Sequence, residues 1–422
     1  MMETFEILFT QEWAIRALIS SSVVGLMCGA LGCFIVLRNM ALIGDALSHA
    51  ILPGIVVAYI FFGASTIGFF LGSVVAGLLS AIGITWIQRN VNTKNDAAIG
   101  IVFTAMFAIG VIGISHISRQ PGVHLDLKDF LVGNMLGVSN EDLILTSCIG
   151  IYVFLSIIVF YRYLFTTTFQ PVIAQTMGIS VSIIHYFLML MLSFVVVASL
   201  RAVGVILVVA MLVTPASTAL LLSNKLKTVI CIASLVGLLS AILGLIISIQ
   251  FETTPGPAMT VVAAVLYFLT VIFAPERGLL FKSIRNNRLK KKIMFEDTLK
   301  QALKLSGLGK LNKQNLQEKL GYSKSVLNQN LSSLIKKGLA SNNPVLSLTE
   351  VGEKEATKLV RAHRLWETYL VNQMGLNSEQ IHEDAEKYEH LLTEEMLDEL
   401  DAKLGYPNYD PHGSPIPRKG KS

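Results

Sequence analysis

Asp45 and His49 stand four residues apart in the run Gly44-Asp45-Ala46-Leu47-Ser48-His49-Ala50-Ile51-Leu52-Pro53-Gly54. On a helix, positions i and i+4 share one face. A carboxylate and an imidazole side by side make half of a transition-metal site of mixed hardness. The residues that follow are apolar enough to enter a membrane, where ionisable groups are costly and mark ion pathways. The plainer alternative makes Asp45 the cap of a helix beginning near Ala46 and His49 a hydrogen-bonded core residue. A second set of donors lies toward the C-terminus. His363 and Glu367 are spaced i, i+4, as are His382 and Glu386, while Glu386, Glu389 and His390 share a helix face.

The elements that must position these residues fall into two regions. The chain has 422 residues, a mean hydropathy of +0.60 and only 15% charged residues, too apolar for an ordinary soluble protein. Residues 1–280 carry 11 basic and 11 acidic residues, whereas residues 281–422 carry 23 and 18. A membrane body therefore precedes a charged tail. Segments long enough to cross a bilayer fall near 14–37, 43–62, 66–87, 97–116, 142–161, 181–200, 203–222, 228–249 and 258–275. Eight or ten crossings remain open, because the break near Arg201 is short. With nine, Arg38, Arg89, Lys94, Arg162, Lys225 and Lys227 fall on alternate loops, which the positive-inside rule makes cytoplasmic. The N-terminus is then outside and the tail cytoplasmic. The acidic start does not read as a cleaved signal peptide. Cys28, Cys33, Cys148 and Cys231 lie in apolar runs without CxxC spacing, so neither a disulfide framework nor a zinc knuckle is expected.

Three connecting stretches carry more than length. Residues 116–140 are Gly-rich and semi-apolar, suited to a re-entrant or interfacial piece. Thr253-Thr254-Pro255-Gly256-Pro257 reads as a rigid turn. Residues 282–293 hold six basic residues and no acid, which suits either a helix on anionic headgroups or a solvated linker. Pro215, inside an apolar run, predicts a broken helix ladder that Ser217 and Thr218 would satisfy, or else an ordinary kinked packing helix.

The Asp45/His49 block resembles the signature of permease subunits of manganese/zinc/iron ABC importers. Further blocks of the body resemble that family in its order: Val203 to Leu207 leading into Met211-Leu212-Val213-Thr214-Pro215-Ala216-Ser217-Thr218-Ala219, and Thr254-Pro255-Gly256-Pro257. Thr168-Phe169-Gln170-Pro171 through Gly178 resembles the loop by which such permeases engage their ATPase, with Gln170 in place of the usual acid. The resemblance spans roughly residues 10–275. It implies that Phe169, Gln170, Pro171 and Gly178 contact a cytoplasmic ATPase, that two permease subunits pair, and that an extracellular metal-binding protein delivers the ion. No Gly-x4-Gly-Lys-Ser/Thr motif occurs, so this chain is not expected to hydrolyse ATP or to be an enzyme.

In the tail, residues 311–338 read as a helix-turn-helix around Gly321, residues 345–348 as a wing strand, and Thr349 as the N-cap of a helix to about Met374. This tail, with its ending Asp410-Pro411-His412-Gly413-Ser414-Pro415-Ile416-Pro417, resembles the metal-sensing repressors of the diphtheria-toxin-repressor family over about residues 294–417. The resemblance places His363, Glu367, His382, Glu386, Glu389, His390 and Asp297 on ligand positions. Glu386 and Asp297 match its manganese type, and oxygen donors instead of sulfur favour manganese. Lys300 stands where a second acid is expected. The plain alternative is a relic whose His and Glu side chains only face solvent.

The expected fold class is an all-α polytopic membrane protein of about nine spans with a cytoplasmic winged-helix plus helical metal-binding/dimerisation domain. Its expected divisions are 1–280, a basic juxtamembrane linker 281–293, a winged helix 294–349 and a helical domain 350–422. The expected function is import of divalent transition metal, manganese before zinc or iron, with a metal-sensing tail. No cofactor is expected to be held tightly in the membrane body, and Mn2+ (or Zn2+/Fe2+) is both substrate and tail ligand. The expected partners are a second copy, ATPase subunits, an extracellular metal-binding protein and membrane lipid, but not DNA. The alternative is a membrane-anchored metal-responsive transcription regulator. A siderophore- or vitamin-type importer would need a wide cavity and no Asp–His pair.

Overall fold

A backbone in hydrocarbon must satisfy its own N–H and C=O groups, and helices do so within one segment. The computed structural model describes residues 6, 8–63, 65–119, 133, 137–342, 345–374 and 392–418. It divides into two compact units, residues 1–282 and 283–422.

The body is built from α1 (Glu12–Leu37), α2 (Ala41–Ala50), α3 (Leu52–Phe62), α4 (Thr66–Asn90), α5 (Asn95–Ile117), α6 (Asn140–Val159), α7 (Tyr161–Phe169), α8 (Pro171–Thr176), α9 (Val181–Leu222), α10 (Leu226–Gln250) and α11 (Pro255–Phe273). Among the described residues, eight stretches are long and apolar enough to cross a membrane, and the 16-residue apolar helix Leu207–Leu222 accompanies them. α1 is the centre, 72% buried, while α5 and α11 are 22% and 17% buried and form the periphery. α1 packs on α9 and α10 with almost no gap. A Cβ at Gly32 would stand 1.9 Å from the Leu212 carbonyl oxygen, so only glycine lets these backbones meet.

α9 is two legs, not one span. At 42 residues it would measure about 63 Å, twice the apolar thickness of a bilayer. Its first leg starts where Arg89 Nη2 donates to Ser182 Oγ at 2.9 Å and Thr85 Oγ1 lies 3.4 Å from His185 Nε2. Its second leg ends with Ala216 and Ala219 packed on Cys33, near the C-terminus of α1. The reversal falls at Gly204, at φ 75° and ψ 165°, a region open essentially to glycine alone. The expected break at Pro215 is therefore misplaced. Pro215 stays inside regular helix, and Thr218 Oγ1 donates to the Thr214 carbonyl at 2.8 Å, not to the carbonyl that proline frees four residues back. The second span is also two pieces, because Pro53 at the head of α3 cannot continue the ladder of α2.

α12 (Leu279–Gly307), most of which belongs to the second unit, absorbs the basic stretch into one continuous helix. Its residues 281–292 are all exposed, with basic side chains on every side. α13 (Lys313–Leu320) and α14 (Lys324–Lys336) form the helix-turn-helix, with Gly321 left-handed at the turn and Ser323 capping α14. β1 (Ala340–Asn342) pairs antiparallel with β2 (Leu346–Leu348) as the wing. α15 (Glu350–Met374) starts at Thr349, whose Oγ1 accepts the Gly352 N–H at 3.1 Å. α16 (Glu394–Lys403) is held to α15 by Arg361, whose Nη2 donates to Asp401 at 2.6 Å. Leu365, Leu397, Leu400 and Ile416 form the small core between them.

The conformation at Gly204 yields a first test. Gly204→Ala forces a side chain into a strained backbone and should cost about 1–3 kcal/mol. It should lower the melting temperature of the purified protein. Gly100→Ala, with open space around its Cβ, should leave that temperature unchanged. Equal melting of both variants would contradict the reversal at Gly204.

Candidate metal centres

Asp45 and His49 both lie on α2, which begins at Ala41 after Met40 and has no side-chain cap. Asp45 is therefore mid-helix, and the reading of Asp45 as a cap fails. His49 Nε2 is 3.9 Å from Asp45 Oδ1. That is too long for a hydrogen bond. Two donors that each hold one cation at about 2.0–2.2 Å stand about 3.4 Å apart in a tetrahedral site and no more than about 4.4 Å apart at all, so a small side-chain shift would let the pair share an ion. His49 Nδ1 is buried with no hydrogen-bond partner among the described residues. The imidazole leans on α5, with ring centroids 5.3 Å from Phe103 and 5.4 Å from Phe107, the second edge-on. An apolar wall thus fixes the ring on one side, while the Asp45 side chain is 51% exposed on the other. The arrangement offers one oxygen and one nitrogen donor at the surface of a span-forming helix. It fills half of a coordination shell.

The predicted ATPase-contacting residues form a short external step. Phe169 ends α7, Gln170 leaves the helix, Pro171 opens α8 and Gly178 turns the chain at φ 77°. Val172 is 72% exposed and Ile173, Met177 and Phe169 are exposed too, an apolar patch at one end of the body.

In the tail, α15 aligns His363 and Glu367, with Nε2 to Oε1 at 3.1 Å and the carboxylate 2% exposed. They line a cavity of about 130 Å3 with Lys300, Lys304, Arg364, Asp410, His412 and Ser414. His412 Nε2 lies 3.9 Å from the same Glu367 oxygen. Asp410 accepts the backbone N–H groups of His412 and Ser414 at 2.9 and 2.8 Å, and this turn aims His412 inward. The sequence does not single out Lys304, Asp410 and His412 as site residues, since the ending lies far along the chain from α15. The signal that could have found His412 is its place in a Pro-His-Gly turn. Asp297 does not belong to that lining; its carboxylate accepts the Tyr322 hydroxyl at 3.0 Å. His382, Glu386, Glu389 and His390 lie outside the described residues. Among the described residues, no three His, Cys, Asp or Glu donors converge on one point. The nitrogen and oxygen donors suit a divalent ion, and the two lysines oppose it by charge.

Comparison with known proteins agrees with this division of the chain. The manganese transport system membrane protein MntC of Halalkalibacterium halodurans is 46% identical over 286 residues, 68% of this chain and 96% of its own. MntC of Bacillus subtilis is 34% identical over 364 residues, 83% of this chain and 82% of its own, so that likeness runs beyond the body. The solved PsaBC from Streptococcus pneumoniae in complex with Fab has a TM-score of 0.60 and 39% identity, covering 65% of this chain and 97% of its own. Residues 349–418 match the metal binding and dimerisation domain of iron dependent repressors. A transporter's body with a repressor-like tail favours transport over a membrane-anchored regulator. Residues 10–274 match the model of the ABC 3 transport family, and this multi-pass membrane chain belongs to that family.

Proposed function

We propose that this chain is the permease subunit of a manganese importer, and that Asp45 and His49 hold the ion in transit. The observation that carries this reading is the pair itself: two donors of mixed hardness, 3.9 Å apart, on the first piece of a stretch, Ala41–Phe62, long and apolar enough to cross a membrane. A carboxylate half exposed on such a helix needs cover. A second copy related by a two-fold axis supplies it with the same patch. Two Asp45 carboxylates then balance the charge of one divalent ion, and two His49 rings complete a four-donor shell. A neutral occupant is what a low-dielectric path tolerates. Oxygen donors lean toward manganese, as do the names of the relatives.

The basic loops argue for an N-terminus outside and a cytoplasmic tail. An ATPase subunit docks on the segment through Phe169, Gln170, Pro171 and Gly178, beside the exposed apolar side chains of Val172, Ile173 and Met177 that suit a protein partner. It supplies the hydrolysis for which this chain has no phosphate loop. An extracellular metal-binding protein delivers the ion. Lipid surrounds the peripheral helices, and DNA is not a partner. The tail reads internal manganese through His363, Glu367 and His412, together with His382, Glu386, Glu389 and His390. Asp297 contributes only if it leaves Tyr322. An ion that binds one arrangement of the tail better than another shifts their populations by that difference.

Two outcomes test this. Asp45→Ala and His49→Ala should each reduce uptake of radiolabelled manganese to that of cells lacking the transporter, with normal amounts of protein in the membrane. Near-normal uptake by both would remove them from the path. Glu386→Ala/His390→Ala should keep importing at high internal manganese, where the parent slows. Calorimetry that finds no micromolar manganese binding by residues 294–422 would end the sensor reading.

A further inference from the structure

Arg38 sits where the first membrane helix stops. α1 closes with Asn39 left-handed at φ 56° and the Met40 N–H donating to the Ile35 carbonyl at 2.9 Å. This tight exit fixes where the Arg38 side chain departs. α2, the helix of Asp45 and His49, begins at Ala41 immediately afterwards.

Arg38 Nη2 donates to the Thr167 carbonyl at 3.2 Å. Thr167 lies in the last turn of α7, where carbonyls lack intrahelical partners and the helix dipole is negative. Every other side-chain hydrogen bond of residues 161–176, among the described residues, is local. Thr166, Thr167, Thr168 and Thr176 all bond back into their own helices. Lys227 Nζ also lies 5.6 Å over the Tyr161 ring, so among the described residues the arginine is one of two polar side-chain ties between this segment and the body, and it is the one that leaves from beside α2. Arg38 Nη1 is buried with no hydrogen-bond partner among the described residues. A guanidinium is a rigid fork of donors. Here one prong is engaged and one is available to a second carbonyl when α7 shifts. Elsewhere at this end, Arg89 to Ser182 pins α4 to the foot of α9. Arg38 links the segment with the exposed apolar patch to the start of the helix that carries Asp45 and His49.

We propose that Arg38 is the positioning residue that carries a displacement of the segment 161–176 into α2 and so into the Asp45/His49 pair. The proposal rests on the functional reading that this segment docks the ATPase. If the bond only capped α7, its loss would unsettle the docking step and leave α2 alone. If it transmits, its loss uncouples.

The test uses the complete complex, permease with its ATPase and the extracellular metal-binding protein, in vesicles, with manganese(II) as the probe. Three quantities are read: co-purification of the ATPase, ATP hydrolysis, and manganese imported per ATP hydrolysed. For Arg38→Ala, the first two should hold while the third falls about tenfold. Arg38→Lys keeps a donor and should recover some of the import. If Arg38→Ala does not reach the membrane, Arg38→Lys is read alone, and its import per ATP should fall between parent and zero. Unchanged import per ATP in the variant that is read overturns the proposal. So does loss of ATPase co-purification, which would make Arg38 a builder of the docking step. A parent complex that neither retains its ATPase nor moves manganese overturns the functional reading, and the proposal with it.

Discussion

An ionisable group in hydrocarbon must be answered inside the protein, because no water is there to answer it. Asp45 and His49 bring that constraint into α2, and much of the body reads as its consequence. Phe103 and Phe107 stabilise one side of the imidazole with ring contacts that need no further polar partner. Ser48, between the two residues, turns its hydroxyl back to the Gly44 carbonyl at 2.8 Å and leaves the pair undisturbed. Pro53 ends α2 one turn beyond His49, so the piece that carries the pair is short and not a long span. Asp45 keeps one side open, with its side chain 51% exposed.

The same pairing of residue types recurs in the tail under different rules. There the imidazole of His363 sits 3.1 Å from Glu367, both largely buried beside lysine ammonium groups. Lys300 is only 4% exposed, so its charge belongs to the cavity wall. A divalent ion entering this cavity meets resident positive charge, whereas an ion between two copies of α2 meets two carboxylates.

Span positions are legible in the sequence to within a few residues, because apolar runs bounded by charge leave few alternatives. The wing and the Thr349 cap are legible for the same local reasons. The chain reversal is not. Proline announces a missing donor, so Pro215 draws the break, yet a membrane helix absorbs one proline. The turn falls at Gly204, and glycine is too frequent in such helices for one of them to stand out. The cap reading of Asp45 fails because α2 begins earlier, at Ala41. Resemblance places Asp297 on a ligand position, and its carboxylate accepts the Tyr322 hydroxyl. His412 stands in the sequence only within a longer motif. It reaches Glu367 because Ile416 docks in the core of α15 and α16, a tertiary event no local pattern encodes.

The central claim is that Asp45 and His49 bind the ion. Pulsed electron paramagnetic resonance of manganese(II) bound to the body, residues 1–282, tests it without interference from the tail. The account predicts nitrogen modulation from a directly bound imidazole, present in the parent body and absent in His49→Ala. Nitrogen modulation that survives His49→Ala, or a parent spectrum of aquo manganese alone, would contradict it.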